Sequence, residues 1–293
     1  MNISLLLLPA LAAWAPLRAG AAAAPPKVVY GADDRRDLYQ VADPGLLKSA
    51  GSTAALFERS RVQAGGAGQR ALLVLRPYGK EFNLCRREPF FEQGTGAFCT
   101  GALVAPDVVL TAGHCVRELY DCRQTAFVFG FALGAAGQAA DSVPMEDVYY
   151  CRELLDREEQ KPGADWALVR LDRPVAGRAP LAVSRTEPAA GAPLFVIGHP
   201  SGLPTKVAGG ANVRDASPPG YFVANLDTYG GNSGSPVFNG ETGLIAGVLV
   251  RGEKDYAFDE DENCRVSNIC ADDGCRGEDV TRISSVRFPH GGF

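Results

Sequence analysis

The chain has 293 residues, of which 46% are apolar and 22% charged, with 34 glycines, 20 prolines, 8 cysteines and a formal net charge of −5. This apolar content excludes a disordered chain, the glycines keep no collagen-like period of three, and no window reaches the ~18 unbroken apolar residues of a membrane span. An acidic balance without a basic block argues against nucleic-acid partners.

In chain order, the first segment reads as an export signal, residues 1–24. Leu5 to Leu8, Ala10 to Ala13 and Trp14 form an apolar run, and small residues follow from Ala19 to Ala24, with an A-x-A site ending at Ala21 or Ala23. The usual positive start is missing, since the first cationic side chain is Arg18. Pro9 and Pro16 interrupt the competing reading, a core or anchor helix. Export places the chain outside the cell, or in a periplasm, with no membrane contact after signal removal. An even cysteine count there reads as disulfides. A zinc site would need closely paired ligands, and the closest cysteines are Cys270 and Cys275.

Residues 25–69 read as a short pro-segment and a wrapping segment, loop-like from residue 43, with one helical turn near Ala54 to Arg59. Short apolar runs punctuated by turn residues follow: Ala71–Leu75, Gly101–Ala105, Val108–Thr111, Ala126–Phe131 and Trp166–Leu171. Met145–Glu159 fits a helix or a strand plus charged loop. Pro174 to Pro180 reads as a crossing linker. A second set comprises Leu194–Gly198, Tyr221–Leu226, Pro236–Phe238, Leu244–Val250 and Val280–Val286. Two such sets predict an all-β chain of two packed barrels or sandwiches, divided into residues 70–178 and 179–293.

Three segments carry chemistry. Thr111-Ala112-Gly113-His114-Cys115 places a histidine at the end of a strand. Asp165 opens the apolar run Trp166–Leu171, and Gly230-Gly231-Asn232-Ser233-Gly234-Ser235-Pro236 places a serine in a glycine-dense turn before a strand. A serine hydroxyl is a poor nucleophile that needs a neighbouring base, held in one tautomer by a carboxylate. It also needs backbone N–H groups aimed at a developing oxyanion, for which Gly231 and Ser233 are the natural donors.

These segments resemble those of the chymotrypsin-like serine proteases, which carry T-A-[AG]-H-C around the histidine and G-[DN]-S-G-[GS]-P around the serine. The likeness covers roughly residues 70 to 290. It implies two packed six-stranded antiparallel β-barrels with the site in the cleft between them, and a triad of His114, Asp165 and Ser233. It also implies a disulfide between Cys99 and Cys115, which lie sixteen residues apart. Asn232 stands where the digestive enzymes have aspartate, which is similar to the bacterial glutamyl-endopeptidase branch. That branch also shows a mature start like Val28 to Arg35, with Lys27 at the processing site.

The specificity pocket is expected from Asp227, Thr228, Leu249, Gly252 and Glu278. Leu249 occupies the position where glutamate-selective members keep a histidine, so the resemblance does not carry their preference over. Two carboxylates, Asp227 and Glu278, favour Arg or Lys beside the scissile bond. The blander alternative pairs them with Arg251 or Arg282 as braces, and Arg251 near the mouth could instead attract an acidic residue. The function expected is a secreted, monomeric serine endopeptidase acting on proteins or peptides after Arg or Lys. The alternatives are a glutamate-selective endopeptidase and a catalytically silent binding protein on the same fold. No cofactor is required, although the acidic loop Glu253, Asp255, Asp259, Glu260, Asp261 and Glu262 is compatible with a structural calcium ion. His199 reads as an exposed loop residue and His290 as part of an unstructured end. Six cysteines remain to be paired, and at least one of Cys264, Cys270 and Cys275 must reach Cys85, Cys122 or Cys151.

Overall fold

The computed structural model describes residues 29–65 and 69–289. The export-signal and maturation readings at residues 1–28, and His290, lie outside these residues.

Six strands build the first barrel: β1 (Thr53–Glu58), β2 (Cys99–Ala105), β3 (Val108–Thr111), β4 (Thr125–Phe129), β5 (Val148–Glu159) and β6 (Asp165–Leu171). They pair antiparallel in the order β4–β5–β6–β3–β2–β1, and β1 closes onto β4. The second barrel takes β7 (Pro193–Gly198), β8 (Lys206–Asp215), β9 (Tyr221–Ala224), β10 (Pro236–Asn239), β11 (Ile245–Arg251) and β12 (Glu278–Arg282). Its order is β7–β10–β11–β12–β9–β8, closed by β8 pairing back to β7. Two closed six-stranded antiparallel barrels are thus present, as the resemblance implied.

The first barrel begins earlier than expected. Thr53–Glu58, assigned above to a wrapping segment with a helical turn, is a barrel strand whose first five residues are all buried. Ala54 and Leu56 pack in one apolar cluster with Phe127 and Phe129, while Ala55 and Phe57 pack in another with Ala71 and Leu73. A strand buried on both faces shows no alternation, which hides it from periodicity. Arg70–Leu73, in turn, belongs to a three-stranded side sheet with Val62–Ala64 and Ser142–Pro144 rather than to the barrel. The ambiguous stretch before Asp165 is the 12-residue strand β5.

One continuous cluster joins the barrels, running from Leu103, Leu110 and Trp166 to Phe238, Val248 and Val250. The interior of the second barrel is a separate cluster that includes Phe222, Leu249 and Val280. All eight cysteines are paired, as Cys85–Cys264, Cys99–Cys115, Cys122–Cys151 and Cys270–Cys275. Cys85–Cys264 spans 179 residues and ties the half carrying the first barrel to the long insertion before β12.

Candidate active site

The strand ends deliver the site. His114 follows β3, and Asp165 is the first residue of β6, which pairs with β3 through Ala167 and Thr111. His114 Nδ1 lies 2.8 Å from Asp165 Oδ2, and the His114 backbone N–H donates to Asp165 Oδ1 at 3.1 Å. One carboxylate therefore orients both the ring and the backbone of the histidine. Gly113 is required before it, because a Cβ there would run into the carbonyl oxygens of Glu158 and Trp166. Asp165 itself is 0% exposed. The second barrel holds it, with Asp165 N–H donating to Thr281 Oγ1 at 3.0 Å and that hydroxyl donating to Asp165 O at 3.1 Å.

Ser233 sits in the turn leading into β10. Thr100 N–H donates to its carbonyl at 2.8 Å, and Cys115 Sγ lies 3.7 Å from the same oxygen, so the serine backbone rests against the residue next to His114. Thr100 Oγ1 also donates to Gly231 O at 2.9 Å. Gly234 takes φ +89°, and a Cβ there would strike Thr100 O and Thr111 Oγ1. Around the serine, Asn232, Gly234 and Ser235 each spend their N–H on a carbonyl. Among the described residues, no acceptor takes the N–H groups of Gly231 or Ser233. Two unspent donors flanking a half-buried serine are what an oxyanion site requires. Asn232 is buried, and its Oδ1 accepts from Ser235 Oγ at 3.1 Å, which braces this turn from within.

Of the five pocket residues expected from sequence, three come together. Glu278 is buried, accepts from Thr228 Oγ1 at 3.0 Å, and lies directly over Gly252, where any Cβ would overlap its carboxylate. Tyr30 O–H and Glu253 N–H approach its other oxygen at 3.4 Å. No cation faces it among the described residues, and burial, with Asp255 nearby, pushes its carboxyl up to about 8. Asp227 does not join them. Its carboxylate accepts Tyr30 N–H at 2.7 Å and Asp34 N–H at 2.9 Å, so it anchors the N-terminal segment, and burial pushes it up to about 7. Leu249 also departs from expectation, because its side chain points into the second-barrel core. Nor do Arg251 and Arg282 brace Asp227 and Glu278: Arg251 pairs with Asp279 and Asp165, and Arg282 with Glu187.

His199, expected in an exposed loop, is fully buried. Its ring lies 3.1 Å from both Thr100 Oγ1 and Thr205 Oγ1 and stacks on Phe131, and burial lowers it to about 3, so it is neutral. It supports Thr100 from behind. The acids weighed for calcium serve separate partners: Asp255 accepts from Gly230 N–H at 2.9 Å, while Asp259 and Glu262 both pair with Arg87. Sequence reasoning missed Thr100, Thr281 and the reach of Arg251 to Asp165. Only Arg251 left a signal, as the single charge in the apolar run of β11.

Known proteins resemble this chain in sequence and in fold. The chain is 28% identical over 148 residues to the glutamyl endopeptidase of Bacillus licheniformis, a match covering 48% of this chain and 45% of that protein, less than half its length. A solved Glu endopeptidase in complex with MPD superposes with a TM-score of 0.49 at 17% identity, covering 88% of this chain and 95% of that one. The human heparin binding protein gives a TM-score of 0.50 at 16% identity, with 86% and 91% covered, a likeness of fold. A family profile described as a trypsin-like peptidase domain matches residues 99–248, a span that holds His114, Asp165 and Ser233 and makes this chain a member of the trypsin-like peptidase family.

Proposed function

We propose that the chain is an exported serine endopeptidase that cleaves proteins or peptides on the carboxyl side of Arg or Lys. The observation that carries the reading is the 2.8 Å contact of His114 Nδ1 with Asp165 Oδ2 beside a serine turn with two unspent N–H donors. Ser233 Oγ attacks the scissile carbonyl as His114 Nε2 takes its proton. Asp165 holds the ring and stabilises the imidazolium, and the Gly231 and Ser233 N–H groups bind the oxyanion. The proton then passes from His114 to the leaving amine, and water hydrolyses the acyl-serine by the same route in reverse roles.

The preference for a basic residue rests on Glu278, a buried carboxyl without a cation between Thr228 and Gly252. A guanidinium or ammonium entering there would draw off its proton and form a charge-assisted pair. Export is supported by the pairing of every cysteine. Among the described residues, no helix is long and apolar enough to cross a membrane. The working unit is taken as one chain, which sedimentation at assay concentration tests.

Ser233→Ala should lower turnover by at least ~10⁴-fold while leaving the fold intact. Wild type should take a fluorophosphonate probe, and failure to react would favour a silent binding protein on this fold. The name of the Bacillus licheniformis relative favours a second reading, cleavage after glutamate. Chromogenic peptides that differ only in the residue before the scissile bond separate the two, and faster turnover of Glu than of Arg overturns the basic preference.

A further inference from the structure

The charged groups around Asp165 form an alternating chain that crosses from one barrel to the other. At its outer end, Arg276 NH2 reaches both oxygens of Asp279 at 2.6 and 2.7 Å. Asp279, 1% exposed and adjacent to Glu278 on β12, accepts Arg251 Nε at 3.2 Å. Arg251 NH1 then stands 3.5 Å from Asp165 Oδ2, the same oxygen that faces His114 Nδ1 at 2.8 Å. The rest of the guanidinium fork is spent on the loop that runs into β6, with NH2 on Gly163 O at 2.6 Å and NH1 on Gln160 O at 3.2 Å. One planar group thus holds the β12 carboxylate, the loop before Asp165, and the Asp165 carboxylate.

We propose that Arg251 is a positioning residue for the triad, which ties the strand carrying the pocket acid to the carboxylate that orients His114. This rests on the serine-peptidase reading above. The side chain reaches the reacting atoms only through Asp165. Its planar donors hydrogen-bond three acceptors in fixed directions and place the charge 3.5 Å from a fourth, Asp165 Oδ2, which an ammonium cannot do. Without it, Asp279 keeps Arg276 and Asp165 keeps Thr281, so both barrels retain their anchors. What is lost is the tie on the Gln160–Gly163 loop and the second contact on Asp165 Oδ2. The role therefore falls on the rate of the chemical steps, and substrate capture by Glu278, on the other face of β12, is left alone.

The test compares full-length wild type, Arg251→Met, Arg251→Lys, Asp279→Asn and the Arg251→Met/Asp279→Asn double variant on one Arg chromogenic peptide, with kcat scaled to the fraction labelled by a fluorophosphonate. Arg251→Met should lose about tenfold in kcat, as a misaligned base does. Its KM should stay within about twofold. Arg251→Lys should recover part of the loss, and Asp279→Asn should cause a smaller loss that does not multiply with that of Arg251→Met. The downfield proton resonance of the His114–Asp165 contact should shift in Arg251→Met, a signature readable without turnover. An unshifted resonance with kcat unchanged in Arg251→Met overturns the proposal and leaves Arg251 a brace. A rise in KM at constant kcat overturns it too, by making Arg251 a substrate-binding group. Wild type that neither labels nor cleaves any peptide refutes the peptidase reading instead, and the resonance comparison then still decides the role of Arg251.

Discussion

Replacing Glu278 by Gln removes a charge from the pocket while keeping its shape and its contact with Thr228, so it isolates the electrostatic part of substrate selection. A buried, charge-assisted pair loses ~3–5 kcal/mol when one partner is removed. Burial, however, holds this carboxyl up at about 8. Ionising it at pH 7 therefore costs about one unit, or ~1.4 kcal/mol, which must be subtracted. The remainder is ~1.6–3.6 kcal/mol at neutral pH, or roughly 15- to 450-fold in kcat/KM for an Arg peptide, and more at pH 9 where the carboxylate is already charged. A peptide with Gln or Leu in that position should change by less than about threefold. The assay is kcat/KM for the Arg and Leu peptides from pH 6.5 to 9.5, in wild type, Glu278→Gln and Asp227→Asn. For wild type the Arg-to-Leu ratio should climb through pH 8, and in Glu278→Gln it should be low and flat. Asp227→Asn should keep the wild-type ratio, because that carboxylate serves Tyr30 and Asp34 N–H groups. Loss of the Arg preference in Asp227→Asn with its retention in Glu278→Gln would refute the assignment of the pocket acid.

The same carboxyl makes a stability prediction. Its folded value of about 8 lies above its ordinary 4.5, so its stabilisation is complete below 4.5 and drains away as pH rises through 8. Between pH 6 and 9 wild type should lose up to a few kcal/mol relative to Glu278→Gln in urea unfolding, and parallel pH slopes would contradict this. Lys206→Met should destabilise by ~3–5 kcal/mol, because it strands Asp37 in the interior. There the ammonium lies 2.6 Å from Asp37, 2.8 Å from Gln93 and 2.9 Å from Pro204 O, and a pairing change of Asp37→Leu should recover most of the loss. Gly234→Ala should cut kcat by ~100-fold or more, through displacement of the serine turn against Thr100. Gly209→Ala, in open space, is the matched control and should be neutral.

Much of the site was legible because its chemistry demands particular residues at particular turns. Gly113 and Gly234 must lack a side chain where the chain passes carbonyl oxygens, and such constraints leave motifs. Strands with a run of branched or aromatic residues, such as Val108–Thr111 and Trp166–Leu171, were equally visible. The strands that escaped have another composition. Thr53–Glu58 is rich in alanine and buried on both faces, and Lys206–Asp215 carries two glycines and an asparagine, so neither shows a period of two. The proposed pocket was half legible, since reading along the chain singled out both Asp227 and Glu278 but could not say which of them the backbone of the N-terminal segment holds. That depended on the N-terminal segment folding back onto Asp227, a contact 193 to 197 residues away in sequence.

The bond between Cys85 and Cys264 gives the two halves of the molecule a covalent connection besides the linker. Arg185 and Thr186 are exposed on the path between the barrels, and the proposed cleavage after arginine would make the bond between them a target for a second copy of the chain. A break there would produce two fragments that remain fastened across the cleft, with His114 and Asp165 on one and Ser233 on the other. Nicked and intact molecules would then migrate together until a reductant is added. Self-cleavage at that point would leave a two-chain form held by one sulfur–sulfur bond as well as by the apolar cluster that the barrels share.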